Sequence, residues 1–163
     1  MSAIASFYVV PGERLSDIVA AATPAPGGWF RASSDTFWSV LRGASHELEK
    51  FLWSGWVFNT LEMYLESRHG LMYWKFGDDA ASGQLSKARG SSWLVLPAAS
   101  AAELLSALDG VQCEAGDVTA FAASEHGPDG AAEEAEAVQA ALTILKAWLT
   151  QVSPGLAGLL SIG

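Results

Sequence analysis

Ser92-Trp-Leu-Val-Leu96, closed by Pro97 and followed by Ser100-Ala-Ala-Glu103, sets the alternation from which the rest of the chain is read. A short aromatic and aliphatic run of this kind predicts a buried strand. Ser100 and Glu103 have the spacing of a capping box, so a helix is expected to open there and run through Leu104, Leu105 and Leu108 to Gly110. Upstream, Leu71-Met-Tyr-Trp-Lys-Phe76 is a second such run, and the polar, glycine-bearing segment 77–90 between them reads as the long loop of an antiparallel pair.

Further out, Ile4 to Val10 predicts a first strand, and Leu15, Ile18, Val19 and Ala22 share one face of a helix over 13–22. Thr23-Pro-Ala-Pro-Gly-Gly28 stops that helix. Ser33 or Ser34 can cap a helix carrying Phe37, Leu41, Ala44, Leu48 and Phe51, and after Ser54-Gly55 a second helix runs through Val57, Leu61 and Leu65 to Gly70. Downstream, Val118 to Ala123 is a fourth strand candidate and Glu125 to Gly130 a loop. The longest helix then places Val138, Leu142, Leu145, Leu149 and Val152 in one stripe. After Pro154-Gly155, the apolar run Leu156 to Ile162 is expected to be a last strand or a docked segment. The fold class is therefore α+β, a mainly antiparallel sheet of four or five strands covered by helices, with an inserted helix pair over about 34–69. Without that pair the order contains β-α-β-β-α-β, as in split ferredoxin-like sheets.

At 163 residues the chain fits a single domain, 1–163. No window is apolar enough to span a membrane, since the densest, Phe51 to Leu65, carries Ser54, Asn59 and Glu62. The opening Met1-Ser-Ala-Ile-Ala-Ser-Phe-Tyr-Val-Val10 has no cation ahead of its apolar run, and Cys113 is the lone cysteine. Both fit a cytoplasmic protein without disulfides or a thiolate metal cage. The alanine- and glycine-rich composition fits GC-rich bacterial coding.

The formal charge of −9 argues against nucleic acid as a partner. It is unevenly placed. Residues 1–96 hold nine acidic and eight basic side chains, whereas residues 97–163 hold nine acidic side chains and Lys146 alone. The part over about 97–152 is thus an acidic surface. Acids in the first turn of a helix complement its dipole, and a one-signed patch also steers a basic protein into contact.

The Ile4-Ala-Ser-Phe-Tyr8 opening, the Leu48-Glu-Lys50 and Trp56 region, Ala88-Arg-Gly-Ser-Ser-Trp-Leu-Val-Leu-Pro97 before a leucine-rich helix, and Leu145-Lys-Ala-Trp-Leu149 before a short apolar end come in an order that resembles the YfbM-like family of small bacterial proteins. The likeness covers most of the chain and implies a fold, with no reaction attached.

Catalytic and metal templates fail in turn. Glu66-Ser-Arg-His69 has the spacing of a di-iron helix but no second copy. His46-Glu47 meets Lys50 where a zinc protease needs histidine. Asp78 to Gly83 breaks the calcium-loop pattern at its third position, and Arg89 stands where the bidentate glutamate belongs. No cofactor, metal site or catalytic residue is therefore assigned. The seven tryptophans exceed what a small core usually holds: Phe37 and Phe51 share the helical stripe, Trp38 and Trp53 flank it, and part of this cluster, which includes Trp56, is expected to line a groove or a partner interface. The expectation is a non-enzymatic interaction module, of immunity or inhibitor type, that binds a basic protein through Asp117, Glu125, Asp129, Glu133, Glu134, Glu136, Trp53 and Trp56. The alternative is a small enzyme or small-molecule binder with a pocket between the helix pair and the sheet, using His46, Glu49, Glu62 and His69.

Overall fold

A computed structural model of the chain describes residues 3–23 and 35–163. The loop expected over 24–28, Trp29, and the caps Ser33 and Ser34 lie outside the described residues. Among the described residues there are seven α-helices and a four-stranded antiparallel sheet. In chain order the elements are β1 (Ala5–Pro11), α1 (Leu15–Ala22), α2 (Phe37–Ala44), β2 (His46–Glu47), α3 (Val57–His69), α4 (Asp79–Arg89), β3 (Ser92–Pro97), α5 (Ala98–Leu108), α6 (Ala115–His126), α7 (Ala131–Leu149) and β4 (Leu156–Ile162). The α+β class holds.

The strand order is β2-β1-β4-β3, with every pairing antiparallel. This differs from the split ferredoxin-like order, which needs a parallel crossover. The apolar C-terminal run becomes the central strand β4, with Leu160 opposite both Phe7 and Leu94 and Gly158 opposite both Val9 and Leu96. Alternation along the strands sends Ala5, Phe7, Leu94, Leu96, Leu160 and Ile162 into one core, with α3, α5, α6 and α7. Tyr8, Val10, Trp93, Val95, Ala157 and Leu159 enter a second core, with α1, α2 and α4. The sheet is the middle of three layers, so its strands read as continuous apolar runs. The two helices of the insertion bury Phe37 and Leu41 in the second core and Phe58, Leu61 and Leu65 in the first.

Five local expectations are corrected. The first inserted helix ends at Ala44, and residues 46–47 pair with β1 at Tyr8 and Val9. Residues 71–76 are no strand: Tyr73–Phe76 forms a 3₁₀ turn, because Glu62 accepts the Tyr73 N–H at 3.0 Å and the Tyr73 hydroxyl donates to the Phe58 carbonyl at 2.8 Å. The supposed loop 77–90 is helix α4, started by the Asp78 carboxylate accepting the Ala81 N–H at 3.0 Å and stopped at Gly90 with φ 66°. Its single buried leucine, Leu85, left too little pattern to find it. Residues 118–123 lie within helix α6, where Val118, Phe121 and Ala122 are buried at helical spacing and the alanines favour the helix. Ser100 sits inside α5, which begins directly after Pro97 without a side-chain cap.

Candidate functional site

The feature that stands apart from the packed core is a groove of about 630 Å³ between α3 and the start of α7. On one side Gly55 donates its N–H to the Ala3 carbonyl at 2.8 Å and is buried so closely that a Cβ would stand 3.0 Å from the Ala5 nitrogen. That close crossing leaves Trp56, the next residue, pointing outward with 53% of its surface exposed. Seven residues on along α3, Met63 is 40% exposed. Trp53 is half-buried and lines the same groove. Leu52, beside it in sequence, is 94% exposed.

On the other side the turn between α6 and α7 passes through Gly127 and Gly130, both at positive φ, and presents Asp129. Glu133 and Glu134 occupy the first turn of α7, where the helix dipole favours carboxylates. The floor is tied together by Glu134. The buried Thr60 hydroxyl donates to its Oε1 at 2.8 Å, and His126 Nδ1 lies 3.0 Å from its Oε2. A carboxylate only accepts, which assigns the bonding proton to Nδ1.

Glu134 is therefore committed to internal bonds. Asp129 and Glu133 are exposed, and among the described residues no cation pairs with either. Of the acids expected to bind a partner, these three meet Trp53 and Trp56 in one groove. Glu125 and Glu136 are exposed outside it. Asp117 stands at the far end of α6, where its Oδ2 accepts from the Tyr64 hydroxyl at 2.9 Å and from Arg68 Nε at 3.2 Å. The Tyr64 bond, and then Arg68, hold the Asp117 carboxyl below its ordinary range, while burial pushes the Tyr64 phenol up.

The four groups of the alternative pocket are dispersed. His46 is exposed on the edge strand β2, and the Glu49 carbonyl accepts Trp148 Nε1–H at 3.1 Å. Glu62 is turned to Tyr73, and burial raises its carboxyl to about 7 against the opposing pull of the Tyr73 and Trp74 N–H groups. His69 alone of the four lines a second cavity of about 680 Å³, with Lys75, Ser100 and Glu103. Burial pushes the Cys113 thiol up to about 11, which leaves it a weak nucleophile. Among the described residues no group of three histidine, cysteine or carboxylate side chains is placed to hold a metal ion, and no described helix is long and apolar enough to cross a membrane.

Sequence reasoning missed Asn59, Thr60, Met63 and His126 as groove residues. The seven-residue spacing of Trp56 and Met63 was the available signal for one wall. Nothing in the sequence placed α7 beside it. No family model matches the chain, and no curated protein or solved structure matches it either. These comparisons do not bear on the likeness to the YfbM-like family, and no residue role is taken from it.

Proposed function

We propose that the chain is a non-enzymatic interaction module, of the immunity or inhibitor type, that seats a basic segment of a partner protein in the groove between α3 and α7. A bacterial cytoplasm is the compartment proposed for it. The observation that carries this reading is the meeting of exposed apolar side chains, Trp56 and Met63, with the carboxylates of Asp129 and Glu133, which no cation among the described residues pairs with, in one groove. Tryptophan is the residue most enriched among binding hot spots. Its ring attracts a cation by about 0.5–1 kcal/mol when exposed and by about 2 when desolvated. The surrounding negative charge speeds encounter with a cationic partner. A catalytic or small-molecule site built on His46, Glu49, Glu62 and His69 has less support, since neither cavity described above takes more than one of them.

The test is a titration with a hexa-arginine peptide, followed by tryptophan fluorescence and calorimetry at low and raised salt. Binding that weakens with salt and falls in Asp129→Asn/Glu133→Gln is expected. Glu125→Gln/Glu136→Gln makes the same change in net charge outside the groove and should retain it. Equal loss in both double variants, or no binding, overturns the reading.

A further inference from the structure

The geometry points to a partner segment that is an amphipathic helix of two to three turns, cationic along its flanks, lying lengthwise between α3 and α7; we infer this on the reading that the groove is the seat of a basic protein. Trp56, the residue that leads into α3, and Asn59 and Met63 within it stand at i, i+3 and i+7. Facing them, Gly130 in the turn before α7 and Glu133 and Ala137 within it stand at i, i+3 and i+7. Each line covers about two helical turns, roughly 10 Å of rise.

Gly130 and Ala137 keep one wall low, whereas Trp56 and Met63 make the other tall and apolar, and the Thr60 to Glu134 bond closes the floor. A furrow between two helices with anchors at this spacing accepts a third helix, whose own apolar stripe has the same period. Asp129 and Glu133 then meet lysine or arginine beside that stripe. An extended segment adding to the sheet is the poorer occupant. The outer edge of β3 is already bonded by Ser82 and Ser86, and β2 offers two residues. A second copy of the chain, at net −9, brings the wrong charge.

Three synthetic peptides of equal positive charge separate the possibilities: a leucine–lysine amphipathic helix, the same composition with a central proline, and oligolysine without leucine. Calorimetry should show the first binding about tenfold tighter than either other, and its circular dichroism should gain helix on binding. Trp56→Ala and Met63→Ser should each weaken the amphipathic peptide severalfold; Met63→Ser should leave oligolysine unchanged, and it keeps the test open if Trp56→Ala melts early. Equal affinity for all three peptides, still lost in Asp129→Asn/Glu133→Gln, overturns the helix and leaves the basic-partner reading standing. Absence of salt-sensitive binding by any peptide overturns both. Sedimentation showing a dimer that Trp56→Ala dissolves assigns the groove to a second copy and overturns the proposal.

Discussion

Ser86 on α4 accepts the backbone N–H of Trp93 on β3 at 2.9 Å. One helical turn earlier Ser82 accepts that of Val95, also at 2.9 Å, and the Asp78 N–H donates to the Val95 carbonyl at 2.8 Å. β3 is an edge strand, and a helix rather than a fifth strand supplies its outward bonds. An unprotected edge is a template for pairing with other chains. Ser82→Ala/Ser86→Ala should therefore cost about 1–3 kcal/mol per stranded donor, read as a lower urea midpoint, and should raise association in size-exclusion chromatography. An unchanged midpoint would show that water takes over both bonds.

This arrangement also explains why one end of the fold was legible and another was not. β1, β3, β4, α1, α3 and α7 each bury a long apolar run or stripe, and the period of burial is the signal that sequence carries best. α4 instead secures its place with serine hydroxyls, one leucine and a capping aspartate, all of which resemble loop composition. The 3₁₀ turn at Tyr73 owes its shape to Glu62 and the Phe58 carbonyl, partners 11 and 15 residues away. Half of the groove was legible for a similar reason. The surplus of tryptophan and the acidic run were visible, but Thr60 bonds to Glu134 across 74 residues, a contact that only the packed fold creates.

Gly158 tests the packing beneath the central strand. A Cβ there would overlap the ring of Phe7 and stand 3.0 Å from a Val152 methyl. Phe7 is fully buried and stacks on Trp148 at 5.3 Å, so it has no room to yield. Gly158→Ala should destabilise by about 1–3 kcal/mol. Gly83, exposed within α4 with nothing within 4 Å of its Cβ position, is the opposite case. Gly83→Ala should stabilise by about 0.5–1 kcal/mol through helix propensity. Thermal melts that reverse these signs would contradict the packing described.

Glu62 should make stability pH-dependent near neutrality. Its carboxyl rises from an ordinary 4.5 to about 7 in the folded chain, chiefly through burial. Between those values the native state holds a proton that the unfolded state has lost, so stability falls as pH rises through the window and levels off above it. Glu62→Gln removes the titration while keeping an oxygen for the Tyr73 N–H. The variant should match the parent near pH 4.5 and exceed it above pH 7 by about 1–2 kcal/mol, discounted for the solvent that reaches the carboxyl. The carboxyl of Asp117, and that of Asp35, which hydrogen bonds from Arg89 hold below its ordinary range, act in the opposite sense and at lower pH, where their contribution is lost on acidification. A constant difference between Glu62→Gln and the parent across the window would rule this account out.

The tryptophans divide by what covers them, and stability measurements should divide them in the same way. Trp148 is 2% exposed, stacks on Phe7 and Phe58 at 5.3 and 5.7 Å, and donates its indole N–H to the Glu49 carbonyl. Trp148→Ala should cost about 3–5 kcal/mol as a core truncation. Trp56 is half in solvent and stands on the wall of the groove. Its truncation gives up about half the area of a buried tryptophan, so Trp56→Ala should cost about 1–3 kcal/mol, less than Trp148→Ala. Trp56 thus holds an aromatic ring half at solvent, beside carboxylates that no described cation pairs with. If urea unfolding shows Trp56→Ala to be as damaging as Trp148→Ala, the ring is serving the core and the groove loses its principal anchor.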